Sequence, residues 1–383
     1  MKILLFTHFK YPHLGGISSH MSILKRGLEY QKNNVDILSF SNLYLFGDIF
    51  VRVPSFILNK IKQGLGFYWR IKSITFIFNF ILLFIFIFKK YDVINCQDVV
   101  AYNSTYLTRK IFGANVILTV HGYLKNEIKS ENQVSFSTVL GFLKNVEKKA
   151  YLNAKVIISV DERIKEYILN NFKFSNNIVV LPNFVDINDF KPLINSNKLD
   201  NKKLRLFCPR RLVKKNGVIY AIKSMKFLPD FELIIAGEGP EKKNLEDYIL
   251  KNKLNNVFFI GGKKYSEMIN EYQKSDITLI PSITIANVEE ATSISALESM
   301  ACGVPVIASN VGGLKLLIKN NVNGFLVNQK SPKLIAKKVL ELSQNQKLFN
   351  LISKNSRENV LKNYSHVAAA KKFIEVYFVE KDF

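Results

Sequence analysis

Residues 281–313 read PSITIANVEEATSISALESMACGVPVIASNVGG. The apolar run ITLI ahead of Pro281 predicts a strand that ends there. Thr292, Ser293 and Ser295 stand where a helix would begin, and hydroxyl side chains in that position cap free backbone N–H groups. The expected helix, Ile294–Ala301, stops at Cys302-Gly303, and Pro305 opens the next strand. Strand, loop, helix, strand is one βαβ unit. A helix N-terminus at the carboxyl edge of a parallel sheet is an anion site. Glu298, inside that helix, is placed to accept hydrogen bonds from a ribose diol. Glu290, just ahead of the cap, is placed to reach sugar hydroxyls.

Outward from this unit the same alternation continues. Leu204–Cys208, Glu232–Ala236, Val257–Ile260, Ile277–Ile280, Val306–Ala308 and Gly324–Val327 are expected strands with helical stretches between them. PRRLVKKNG follows the first of these, which places Arg210, Arg211, Lys214 and Lys215 at a strand's carboxyl edge. A departing diphosphate needs a metal or fixed cations. No D-x-D pair occurs in the sequence, so arginine and lysine are expected to supply the charge. GEGP at 237–240 reads as a tight turn, with a phosphate cradle as the alternative.

The first half repeats the pattern. Lys2–Phe9, Val35–Phe40, Tyr91–Cys96, Asn115–Val120 and Lys155–Val160 are expected strands, and Gly15-Gly16 opens a helix running to about Tyr30. The polar, turn-rich stretch 190–202 reads as a linker. The expectation is an α/β protein of two doubly wound, Rossmann-like domains facing a central cleft: 1–190, then 203–365, with a C-terminal helix over 366–383 that could pack back on the first domain.

The 383 residues suit two domains, and 48% apolar residues suit sizeable cores. Lys and Arg number 54 against 31 Asp and Glu, a net charge of +23, which implies anionic partners. The excess is spread over both halves rather than held in a tail. No nucleic-acid-binding module or interleaving of basic and aromatic residues appears, which argues against nucleic acid. Three scattered cysteines support neither a disulfide framework nor a zinc site and fit a reducing cytoplasm. The opening MKILLFTHF is too short an apolar run for an export signal and reads as a strand.

Residues 74–88, ITFIFNFILLFIFIF, are almost wholly apolar, with Arg70 and Lys72 before them and Lys89 and Lys90 after. Fifteen helical residues cover about 22 Å, short of the ~30 Å hydrocarbon core. A spanning helix is therefore disfavoured. A buried core segment and a helix lying in the membrane interface both stay open.

The Glu290-x7-Glu298 spacing with LESMACGVPVIASNVGG resembles the signature of glycosyltransferase family 4, whose members have the GT-B fold. Gly15-Gly16, TVHG at 119–122, ISV at 158–160, PNFVD at 182–186, RRLVKKNG at 210–217 and AGEGP at 236–240 extend the resemblance over nearly the whole chain. It implies a retaining, metal-independent transferase without cofactor, using a nucleotide-diphosphate sugar, UDP-linked, as donor. It places Arg211 on the diphosphate, Lys215 near it, Glu298 on the ribose and Glu290 by the sugar hydroxyls. Ala291, Thr292 and Ser293 fall on the loop whose amides hold the β-phosphate. His121 faces the donor sugar, and Gly16 lies beside the reaction centre. The sequence departs from the family pattern at Asn216, where lysine is usual, at EATS for E-G-F-G, and at Phe184 for glycine.

The expected acceptor is a saccharide or polyprenyl-linked saccharide in surface polysaccharide synthesis. The transferred group is a hexosyl or N-acetylhexosaminyl unit, and the protein is peripheral on the inner face of the cell membrane. A nucleotide-sugar epimerase of the same fold and a non-catalytic membrane-associated carbohydrate binder remain as rivals. Glu289 and His366 read as solvent-facing, and His8, His13 and His20 as structural or surface, with His13 a candidate acceptor contact.

Overall fold

The structure is a computed structural model. It describes all residues except 14–15, 125–136, 173–176, 194–202, 286–288, 291 and 380–383, and the side chains of 137, 138 and 379. The chain divides into two compact units, Met1–Pro182 with Ala369–Phe383, and Asn183–Ala368.

In the first unit, six parallel strands are β1 (Lys2–Phe6), β2 (Asn34–Leu38), β3 (Val93–Cys96), β4 (Val116–Val120), β5 (Val156–Ser159) and β6 (Asn177–Val180), in the order β2-β1-β3-β4-β5-β6. The helices are α1 (Gly16–Tyr30), α2 (Val53–Ile61), α3 (Leu65–Phe88), α4 (Val99–Asn103), α5 (Tyr106–Phe112), α6 (Ser137–Asn153) and α7 (Glu162–Phe172). Strands β3, β4 and β5 are buried along their whole length, as expected of parallel strands covered on both faces. Strand β6 escaped the sequence reading because it is a short edge strand and only partly buried.

In the second unit, β7 (Leu204–Pro209), β8 (Phe231–Ala236), β9 (Val257–Gly261), β10 (Ile277–Ile280), β11 (Val306–Ser309) and β12 (Phe325–Val327) form a parallel sheet in the order β12-β11-β10-β7-β8-β9. Helices α8 (Val218–Ser224), α9 (Lys242–Lys251), α10 (Tyr265–Lys274), α11 (Ile294–Ala301), α12 (Pro332–Ser343) and α13 (Gln346–Asn363) flank it. NFVD at 183–186 belongs to this unit: Val185 bridges to Ser365, and Phe190 is fully buried in the core. The division at Pro182 therefore lies ahead of the expected 190–202 linker, of which 194–202 is outside the described residues. The last helix, α14 (His366–Val379), carries Tyr377, whose hydroxyl accepts a 2.6 Å bond from Asn95 at the end of β3.

Helix α3 corrects the sequence reading of 74–88. It starts at Leu65 and has 24 residues, so it runs for about 36 Å and is long and apolar enough to cross a membrane. Arg70 and Lys72 are inside it rather than flanking it, and Ser73 is satisfied within the helix by the Trp69 carbonyl at 2.8 Å. Ile74, Phe78, Leu82 and Phe86, each four residues on, are buried in the core, and Phe78 meets Phe6 of β1 edge-on. Phe76, Phe80, Phe84 and Phe88, equally spaced, are exposed. One face is core and the opposite face is bare. Gly66 lets α2 cross close by, since a Cβ there would sit 2.0 Å from the Ser55 carbonyl oxygen.

Candidate active site

Each sheet reverses its winding at one point, and polar residues gather there. In the second unit the strand order turns between β7 and β10. Arg210 follows β7 and Ser282 follows β10, and Arg210 Nη2 donates to Ser282 Oγ at 3.0 Å. Ligands of open α/β sheets bind at such switch points, outside the strands' carboxyl ends.

Arg210 is 7% exposed and is the hub of the site. Its Nη1 and Nη2 donate to Glu290 Oε1 at 3.0 Å and Oε2 at 2.6 Å, a bidentate pair. Nη2 also donates to Asn216 Oδ1 at 2.7 Å, and Nη1 to Ser293 Oγ at 3.3 Å. Burial opposes the charge on Glu290. The Arg210 charge and hydrogen bonds outweigh it, Lys215 adds to them, and the carboxyl is held below its ordinary value. Arg211, the residue the family pattern puts on the diphosphate, is exposed, as is Lys215. Thus two exposed cations border a buried ion pair.

Asn216 answers the departure noted in the sequence. It is 6% exposed and donates to the Arg211 carbonyl at 2.7 Å while accepting from Arg210. A lysine here would bring a second cation into a pocket that Arg210 already occupies. Which of the two arginines turns inward is set by the neighbouring backbone. Arg210 N donates to the Ala236 carbonyl and Leu212 N to the Glu238 carbonyl, both at 3.0 Å, so GEGP braces the loop.

Helix α11 begins as expected, with Ser293 as its N-cap accepting from Ala296 N. Thr292 accepts from Asn183 Nδ2 through its carbonyl at 3.3 Å. Ala291 lies outside the described residues. Glu298 accepts a 2.7 Å hydrogen bond from the fully buried Tyr272 hydroxyl. Burial pushes the Glu298 carboxyl up to about 7 in spite of that bond. Glu289 is not a solvent-facing residue: it accepts from Thr284 Oγ1 at 3.1 Å and Gly312 N at 3.0 Å. Gly312 has φ +50°, and a Cβ there would stand 2.1 Å from the Glu290 carbonyl oxygen. Gly312→Ala is therefore expected to push Glu290 away from Arg210 and to lower kcat by at least about tenfold with the fold retained; paired circular dichroism and rate measurements check this.

In the first unit the winding turns between β1 and β3. His8, after β1, pairs through Nδ1 with Asp98 Oδ1, after β3, at 2.6 Å. Burial works against the Asp98 charge, but His8 and the backbone N–H groups of His8 and Ala101 outweigh it and hold the carboxyl below its ordinary value. The sequence reading missed Asp98, although a carboxylate directly after the strand in VINCQD was its signal. His121 follows β4. Its Nε2 lies 3.0 Å from Gln97 Oε1, and burial lowers the imidazole to about 4, so it is neutral near pH 7. His20 is buried and meets His121 edge-on at 4.5 Å. Gly16 is the exposed first residue of α1, and His13 is exposed. His366, expected at the surface, is 2% exposed and lies 3.4 Å from Asp186.

Two Rossmann-like units of this build, with an arginine-carboxylate centre at the switch point, define the class of GT-B glycosyltransferases. The family described as "Glycosyl transferases group 1" matches residues 189–359, and "Glycosyltransferase Family 4" matches 14–189. The chain belongs to this family, and it is a glycosyltransferase. It is 27% identical to an uncharacterized glycosyltransferase of Methanocaldococcus jannaschii, over 94% of this chain and 93% of that one. It is 25% identical to the UDP-Gal:alpha-D-GlcNAc-diphosphoundecaprenol alpha-1,3-galactosyltransferase of Escherichia coli, over 76% of each. Among solved structures it resembles Anabaena HepE in complex with UDP, with TM-score 0.69 and 18% identity over 98% of this chain and 99% of that one.

Proposed function

We propose that this transferase moves a hexosyl or N-acetylhexosaminyl unit from a UDP-sugar to a lipid-linked saccharide, with retention at the anomeric carbon and without a metal, at the cytoplasmic face of a membrane. The observation that carries the reading is the buried Arg210–Glu290 pair with Arg211 and Lys215 exposed beside it. Fixed cations at a helix N-terminus favour a diphosphate and stabilise it as it leaves. With no free carboxylate nucleophile among the described residues of this arrangement, the acceptor hydroxyl attacks from the leaving group's side and the departing phosphate takes its proton. The E. coli relative acts on a diphosphoundecaprenol-linked sugar, and the HepE structure contains UDP; both support the choice of donor and acceptor.

Membrane association is supported by the bare side of the first unit. Ile57, Phe56, Phe76, Phe84 and Phe88 are each more than half exposed, and Lys60 and Lys62 are exposed near them. An apolar face with basic neighbours suits an anionic bilayer surface, while the buried face of α3 keeps that helix in the fold rather than across the membrane.

A panel of nucleotide sugars tests the reading. UDP-sugars are expected to raise the unfolding midpoint by several degrees, GDP- and ADP-sugars less, with and without EDTA alike. Product anomers should match the donor's. No shift with any nucleotide sugar, or inversion, would overturn it.

A further inference from the structure

The first unit has a cavity of about 880 Å³ that the proposed chemistry leaves unused. Its walls are Phe46 and Phe50 from the segment after β2, Trp69 and Phe76 of α3, and Phe142 and Val146 of α6. Phe46 and Phe50 stack at 4.3 Å, and Trp69 Nε1 donates to the Phe50 carbonyl at 3.1 Å, so the rings are held in place. Five of these six side chains are aromatic. Ser73, Thr75, Asn79, Asn103 and Asn145 also line the cavity. The Ser73 hydroxyl and the Asn79 and Asn103 amides already donate to backbone carbonyls, so a hydrocarbon chain, which needs no hydrogen bonds, suits these walls better than a sugar or nucleotide.

The polar part of the cavity is positive. Among the described residues, Lys72 and Lys149 line it and no carboxylate does. Among the described residues neither lysine makes an ion pair. Lys72 lies over the Tyr68 and Phe142 rings, and Lys149 over Tyr106. An apolar groove with two uncompensated cations fits an amphiphile with an anionic head. The groove also continues the bare apolar band of α3, since Phe76 belongs to both. A chain could therefore pass from a bilayer into it without crossing water. Flat C=C units and methyl branches pack well between ring faces, which favours an isoprenoid over a straight acyl chain.

We propose that this cavity takes the isoprenoid chain of the lipid-linked acceptor, with its phosphate drawn to Lys72 and Lys149. The inference rests on the reading of the acceptor as lipid-linked. It explains how this fold can select a lipid acceptor: the chain is recognised on the first unit, apart from the donor's diphosphate.

The protein has one tryptophan, and it is in the wall, so Trp69 emission reports occupancy directly. Titration of the full chain with farnesyl phosphate is expected to give a saturable change with a blue shift. Inorganic phosphate should give none, and dihexanoyl phosphatidylglycerol should bind at least about tenfold more weakly. Lys72→Glu with Lys149→Glu, and separately Phe76→Ser, are expected to weaken farnesyl phosphate about tenfold or more. All these side chains reach the surface, so folding should survive, and an unchanged unfolding midpoint confirms it. Absence of a saturable change in protein that still responds to UDP would overturn the inference while leaving transfer from UDP-sugars intact. Equal binding of the phospholipid would overturn the isoprenoid assignment, and indifference to the lysine changes would overturn the headgroup site.

Discussion

Arg210→Met is expected to destabilise the second unit by about 3–5 kcal/mol and to reduce transfer at least about 100-fold. The reasoning is electrostatic. Arg210 holds both oxygens of Glu290, and Ser282, Ser293 and Asn216 complete its shell. Removing the cation leaves Glu290 in a buried place without its bidentate counterion, while the Ser282 hydroxyl, at 3.3 Å, and the Lys215 charge stay near it. A buried charge without its counterion is among the costliest defects a mutation creates. For a unit of this size the loss should lower the unfolding midpoint by on the order of 10 °C. The geometry also predicts a rescue. Asn216 touches the same guanidinium, so Asn216→Lys in the Arg210→Met background returns a cation to the pocket and should recover much of both losses. In the Arg210 background the same Asn216→Lys change crowds two cations together and should be harmful. Calorimetry and initial rates on the three variants check this. A single Arg210→Met variant within about 2 °C of the parent, with half its rate, would show that the pair is dispensable.

Why Arg210 rather than Arg211 fills this role shows where sequence reading stops. PRRLVKKNG announced a cationic turn after a strand, and the turn is there. Which arginine points inward is decided by pairing with Ala236 and Glu238, residues that come later in the chain. Only the tertiary structure brings them together. By contrast, α11 was legible to the residue and its cap, Ser293, was among the three hydroxyl residues expected at its start, because capping is local. Every strand except the edge strand β6 was legible from apolar runs, with ends off by a few residues. Helix α3 was half legible. Its apolar run was plain, but Arg70 and Lys72 looked like flanks, since their charged ends disguise stems that lie along a helix. His366 and Glu289 were misread because contacts between residues distant in the chain cannot be read locally. Their partners, Asp186 for the first and Gly312 for the second, lie far off in sequence.

Donor affinity should fall as the solution is acidified through about pH 7, and Glu298 is the reason. Burial raises its carboxyl to about 7, the Tyr272 hydroxyl notwithstanding. A ribose diol donates hydrogen bonds, so it is bound by the ionised form. Between pH 8 and pH 6 the ionised fraction falls about tenfold, and the donor KM should rise by about that factor. Stability moves in the opposite sense. The folded protein holds the Glu298 proton more tightly than the unfolded chain, whose carboxyl titrates near 4.5. Below that pH both states are protonated and Glu298 costs nothing. As pH rises from 4.5 to about 7 the unfolded chain gains its charge first, so stability is lost across this window and levels off above it. Glu298→Gln removes both effects. Its donor KM should be high and flat with pH, and its unfolding midpoint above pH 7 should exceed the parent's. Tyr272→Phe deletes a hydrogen bond that favours the charge, so it should move the KM transition to higher pH. This shift separates a proton held at Glu298 from a general acid sensitivity of the enzyme. If Glu298→Gln kept the parent's slope of KM against pH, the titrating group would lie elsewhere, and the ribose would have to be bound by another residue.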